Sequence, residues 1–237
     1  GLRWPIGPFE LMNKLGVAKC RETVAREFKK YNNPVPDLLA TVEPSRGFQV
    51  QHVEAHIVGE VGLLAFNRPD ALNALNPAVV SSLATAFDAL NNNPDLNKIV
   101  LFGRGKAFVA GADIKFFVDN IRAKTFSNIQ EFTEDGHKLF KRISASNKTT
   151  IAYLDGMALG GGLELALACD YRIATPRLMA AFPETGIGIY PGLGGTQRTT
   201  RCIGKALTKY MIATGKAVNA ETAFDFGLVS SIVEPSN

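Results

Sequence analysis

Glu164 stands in the stretch ALGGGLELALACDY, residues 158–171, a single glutamate among leucines and alanines and preceded by three glycines. Leu163, Leu165, Ala166, Leu167 and Ala168 put apolar side chains on nearly every side of the segment, so the spacing predicts a buried helix. An unpaired carboxylate is costly in such a place, which favours proton chemistry over simple capping of the helix dipole. Gly160, Gly161 and Gly162 admit two readings. They pack a strand tightly against a helix, or they leave backbone N–H groups at the helix start open to an anion or a polarised carbonyl oxygen.

A second carboxylate, Glu184, lies in AFPETGIGIYPGLGGTQR between an apolar stretch and a loop rich in glycine and proline. Alone it reads as a solvated loop residue. Two glutamates meeting in one pocket, however, divide labour between general base and general acid. The stretch KAFVAGADIKFF, residues 106–117, reads as a Gly/Ala-rich loop after a strand, either a compact turn packed under the sheet or a place where small residues let a ligand oxygen approach the main chain. Other chemistries lack their patterns. GxxxxGK[ST] is absent, Pro191 and Gln197 break the two approximations to GxGxxG, and no serine sits in G-x-S-x-G. His52 and His56 flank Glu54 but do not form H-E-x-x-H, and His137 stands alone, so no metal site is expected.

These residues need a scaffold, and the chain alternates the signals for one. AHIVGEV and GLLAFNRP read as strands about a turn at Gly59 and Glu60, followed by a helix from Pro77. KIVLFG and TTIAYLDG read as buried strands, SNIQEFTEDGHKLFKRISAS and GGLELALAC as helices, and further helical segments surround IGKALTKYMIATG and NAETAFDFG. Residues 1–50 differ, with helical segments PFELMNKLG and CRETVAREFKKY and then breaks at NNPVPDLL and EPSRG, which places a boundary near residue 50.

Composition bounds the rest. With 46% hydrophobic and 20% charged residues, 237 residues suit an α/β globular protein with a substantial core. The net charge of +4 belongs mostly to residues 1–50, with 8 Lys+Arg against 5 Asp+Glu. The remainder is nearly neutral, so no nucleic-acid surface is expected, and Lys138, Lys141 and Arg142 read as a solvated helix face. No apolar run reaches the ~20 residues of a membrane span. With no signal-peptide pattern at the start, the expected location is cytoplasmic. Cys20, Cys169 and Cys202 are expected to be reduced core thiols.

Together NRPDALNAL, KAFVAGADIK, DGMALGGGLELALACDYRIA and FPETGIGIYPGLGGTQR resemble the crotonase (enoyl-CoA hydratase/isomerase) superfamily over most of residues 54–202. The resemblance implies a crotonase-type spiral of ββα units with two roughly perpendicular sheets for residues 51–237, assembled as a homotrimer or dimer of trimers. It implies an acyl-CoA substrate, with Glu164 and Glu184 catalytic and the amides of Ala112 and Gly161 as the oxyanion hole. It further implies substrate contacts at Arg68, Ala110, Asp113, Ile114 and Gly160. Having both glutamates points to hydration of a trans-2-enoyl-CoA, in fatty-acid β-oxidation. The alternatives are a Δ3,Δ2-enoyl-CoA isomerase and a catalytically silent acyl-CoA- or RNA-binding module.

RWPIGPFELMNKLGV followed by PDLLATVEPSRGF resembles the C-terminal end of a 3-hydroxyacyl-CoA dehydrogenase, as found before a hydratase in fused bifunctional enzymes. The upstream dehydrogenase domain, the part that would use NAD, is not within these residues. The hydratase itself needs no cofactor, because CoA is part of its substrate. After FGLVSSIVEPSN the superfamily resemblance implies further C-terminal helices beyond this sequence.

Overall fold

The computed structural model describes residues 8–37, 39, 42–43 and 51–234. Arg3–Gly7, within the dehydrogenase-like stretch, and the expected break at Pro44–Gly47 lie outside the described residues. Contacts divide the chain into two units, Gly1–Gln51 and His52–Asn237.

In the first unit two helices, Pro8–Leu15 and Val17–Lys30, follow one another around Gly16, whose φ of 91° is one that glycine adopts readily. The second helix starts at Val17, earlier than the Cys20 expected from sequence, because Val17 is the buried anchor of a small apolar cluster with Leu39. Arg21 fastens that cluster, its Nε donating to the Leu39 carbonyl at 2.9 Å and its Nη2 to the carbonyl of Val42.

The second unit contains ten strands among the described residues, in two sheets. They are β1 Val53–Val58, β2 Val61–Phe66, β3 Lys98–Gly103, β4 Ala107–Ala110 and β5 Thr149–Leu154, then β6 Met157–Leu159, β7 Tyr171–Ala174, β8 Met179–Ala181, β9 Val218–Asn219 and β10 Ser231–Ile232. One sheet runs β1-β2-β3-β5-β7-β10 and the other β4-β6-β8-β9. The pairs β3/β4, β5/β6 and β7/β8 each send their first strand to the large sheet and their second to the small one, and helix follows before the next pair. The result is the expected spiral of ββα turns. Parallel neighbours require such crossovers, and β5 buries every second residue, Thr150, Ala152 and Leu154, against the core. Phe66 of β2 and Phe108 of β4 meet edge to face with centroids 5.8 Å apart, joining the sheets at their interior.

Helix starts follow local chemistry. Asn76 caps the Pro77–Asn91 helix by accepting from the Val79 amide at 3.0 Å, and Asp113 caps Ile114–Ala123 by accepting from Lys115 at 3.2 Å. Three expectations need correction. The 106–117 segment is not a loop: Ala107, Phe108 and Val109 are fully buried in β4, and a helix begins at Ile114. The helix expected around Ile203 begins eight residues earlier, at Gly195, after Gly194 turns the chain at φ 100°. Of the cysteines, Cys169 is buried, whereas Cys20 and Cys202 are partly exposed; all three are free thiols.

Candidate active site

Glu164 lies in the first turn of the short Gly161–Ala166 helix and is 2% exposed. Its Oε1 accepts two backbone hydrogen bonds, from Leu193 and from Gly195, each at 2.7 Å. Those amides come from the loop that enters the Gly195–Thr214 helix, so that helix start holds the carboxylate at its positive end. A Cβ on Gly195 would lie 2.9 Å from both Cγ and Oε1 of Glu164, so the glycine gives the carboxylate its room. Burial pushes the Glu164 carboxyl up to about 7. The two amide bonds and, more weakly, the Arg198 charge pull it down, while the Glu184 charge adds to the rise.

Glu184 reaches the same place from the 3-10 turn Pro183–Ile187 that follows β8. Its Oε1 lies 2.8 Å from where a Cβ on Gly160 would stand, and Gly160 also supplies the carbonyl that accepts from the Glu164 amide at 2.9 Å. Gly160 has φ 47° and ψ −121°, a backbone that side chains disfavour, so this position is closed to other residues on both counts. Glu184 Oε2 is buried with no hydrogen-bond partner, and burial raises its carboxyl above the ordinary range. A carboxyl raised in this way is a better proton donor than an ordinary glutamate.

The three glycines divide the roles that the sequence left open between packing and ligand access. Gly162 serves packing: a Cβ there would meet the Val109 carbonyl at 2.0 Å, so β4 presses on the helix backbone. Gly161 stands beside the expected donor, because a methyl on it would lie 3.9 Å from the Ala112 nitrogen. Ala112 forms a parallel bridge with Leu75, whose own N–H and carbonyl bond Gly111 and Asp113 at 2.9 and 2.7 Å. In that pattern the Ala112 amide faces away from Leu75 and is left for another acceptor. Gly161, as the first residue of a helix, has no acceptor within its own helix. The amides of Ala112 and Gly161 are thereby left without strand or helix partners of their own.

Among the expected substrate contacts, Arg68 and Asp113 form an ion pair at 3.4 Å, and Arg68 Nη1 also donates to the Ala74 carbonyl at 2.9 Å. Ala110 ends β4 with its amide on the Leu72 carbonyl, and Ile114 is 63% exposed. Asn73 is a residue that sequence reasoning missed. It is 1% exposed with φ 58°; its Oδ1 accepts from the Arg68 amide at 2.8 Å, and its Nδ2 donates to the carbonyls of Arg104 and Ala107 at 3.1 and 2.8 Å. It thus ties the 68–75 loop, which carries Leu75, to the β3–β4 turn. An asparagine inside the otherwise apolar ALNAL, residues 71–75, was the available signal. The holding amides of Leu193 and Gly195 were also missed, since the GLGG segment was weighed as a nucleotide loop.

Comparison with known proteins shows the family of the chain. The enoyl-CoA hydratase/isomerase family profile matches residues 61–237. The chain belongs to the enoyl-CoA hydratase/isomerase family. Within that family it is 42% identical over 177 residues to a crotonyl-CoA hydratase of Syntrophomonas wolfei, covering 74% of this chain and 66% of that protein. It is 39% identical over 181 residues to a short-chain-enoyl-CoA hydratase of Clostridium acetobutylicum, covering 75% of this chain and 67% of that one. The chain therefore spans about two thirds of the length of these relatives. Its structure resembles the crystal structure of enoyl-CoA hydratase from Thermoplasma volcanium, with TM-score 0.73, 35% identity and coverage of 78% of this chain and 73% of that one. Among the described residues of this family member, no helix is long and apolar enough to cross a membrane.

Proposed function

We propose that the second unit adds water to trans-2-enoyl-CoA to give 3-hydroxyacyl-CoA. The observation that carries the reading is that the Glu184 carboxylate packs on Gly160, the residue whose carbonyl holds the Glu164 amide and whose neighbour Gly161 stands beside the Ala112 nitrogen. Glu164, with a pKa near neutrality, takes a proton from water as the oxygen attacks Cβ. The Cα=Cβ electrons move toward the thioester, and the resulting enolate oxygen is bound by the two amides. The enolate then takes a proton at Cα from Glu184, whose carboxyl burial raises above the ordinary range. Water is added across the double bond, Glu164 ends protonated and Glu184 ionised, and proton exchange with solvent resets both. The names of the relatives, crotonyl-CoA hydratase and short-chain-enoyl-CoA hydratase, support this choice of reaction.

The same reading makes CoA part of the substrate, so the reaction requires no separate cofactor, and it runs CoA past Arg68, Ala110, Asp113 and Ile114. The first unit is read as the tail of a 3-hydroxyacyl-CoA dehydrogenase in a fused β-oxidation enzyme, with NAD serving that portion alone. In support, the family profile begins at residue 61, leaving the first unit outside it. Assembly as a trimer or dimer of trimers and a cytoplasmic location complete the proposal. The test is incubation of the chain with crotonyl-CoA and, separately, with a 3-enoyl-CoA. Loss of the conjugated enoyl absorbance with formation of 3-hydroxybutyryl-CoA supports hydration. Conversion of the 3-enoyl-CoA without turnover of crotonyl-CoA replaces it with isomerisation.

A further inference from the structure

The Gly195–Thr214 helix is broken inside. Gly204 has φ 78° and ψ 166°, a region open essentially to glycine alone, and the helix resumes beyond it. The restart is fixed, because Thr208 Oγ1 donates to the Gly204 carbonyl at 2.7 Å. The two halves serve different glutamates. The first half begins at Gly195, whose amide holds Glu164 Oε1 at 2.7 Å. The second half carries Ile212, whose carbonyl accepts from Thr185 Oγ1 at 3.0 Å, one residue after Glu184. It ends at Gly215, where a Cβ would lie 3.5 Å from the Phe182 carbonyl and 3.6 Å from Pro183 Cα, on the other side of Glu184.

We propose that Gly204 is a positioning residue: the break it makes in this helix sets where Glu184 stands relative to Glu164. The proposal rests on reading those glutamates as the acid and base of one site. A methyl at Gly204 would meet nothing within 4 Å, so Gly204→Ala acts through the backbone and not through a clash. An alanine disfavours the present φ, which pushes the two halves toward a straighter helix and carries the Thr185 anchor with it.

The experiment titrates Glu164 in the full chain by carboxyl-carbon NMR with labelled glutamate, in the wild type, Gly204→Ala, Glu184→Gln and the double variant. The charges acting on Glu164 are Glu184 from the 3-10 turn and Arg198 from the first half of the broken helix. The expected result is a shifted Glu164 titration in Gly204→Ala that disappears when Glu184 is already Gln. A shift that persists in the Glu184→Gln background, or no shift at all, overturns the proposal. Thr185→Val, at an exposed site, removes the anchor without touching Gly204, and its shift must likewise vanish with Glu184→Gln; this variant decides the matter if Gly204→Ala does not fold. Hydration kinetics add a second readout, with kcat falling about tenfold in Gly204→Ala and KM little changed. A wild type that titrates as expected but leaves crotonyl-CoA untouched refutes the hydratase reading while the NMR cycle still decides the role of Gly204.

Discussion

Glu164 Oε1 and the Gly195 amide nitrogen lie 2.7 Å apart across a sequence separation of 31 residues. The contact joins the start of one helix to the start of another, and it orients a carboxylate that burial alone would leave free to neutralise and turn. Gly195→Ala places a methyl within 2.9 Å of Glu164 Cγ and Oε1 and of Pro191 Cβ, in a site with no slack. The variant is expected to lose about a hundredfold in kcat for crotonyl-CoA while KM changes little, as measured by steady-state hydration.

The pH dependence of hydration follows from the same carboxylate. Glu164 must be ionised to act as base, and its carboxyl stands at about 7. Activity therefore rises as pH increases through 7, and at pH 6 about a tenth of the base is ionised. A profile of kcat/KM flat from pH 5 to 8 would contradict the assignment.

Burial of Glu164 also links stability to pH. Its folded carboxyl at about 7 lies above the ordinary 4.5, so folding takes up a proton between these values. That contribution is fully present below 4.5 and is lost as pH rises through 7. By pH 8 the charged form costs the fold about 3 kcal/mol. Thermal melts should show the wild type losing more stability than Glu164→Gln between pH 5 and pH 8, with the curves converging at the acid end.

Much of this site was legible in the sequence, and the limits have physical causes. The apolar residues around Glu164 announced its burial, and the alternation of strand and helix signals announced the spiral. What a sequence does not display is long-range hydrogen bonding by backbone. The amides of Leu193 and Gly195 belong to residues without polar side chains, and their partner is 29 and 31 residues away. β4 read as a loop because the Ala and Gly of KAFVAGADIKFF have low strand preference. The break at Gly204 was hidden because one glycine in a helical pattern costs about 1 kcal/mol and so does not force a break. Charge and spacing were likewise silent on whether Glu184 meets Glu164, since tertiary structure alone brings them together.

Asn73 bears on the amide side of the site. Asn73→Ala removes three hydrogen bonds, one buried and two half-buried, and keeps a left-handed backbone without the polar side chain that tolerates it. Urea unfolding should show a loss of about 2 to 4 kcal/mol. Because the loop carrying Leu75 is no longer tied to the β3–β4 turn, kcat should fall in the protein that remains folded.

The division of labour between the two acids is tested most directly by crotonyl-CoA hydration in Glu164→Gln and Glu184→Gln, with binding of the saturated butyryl-CoA measured by calorimetry on the same preparations. Each variant is predicted to fold and to bind butyryl-CoA as the wild type does, while hydration falls by about two orders of magnitude or more. Near-normal turnover in either folded variant would contradict the account.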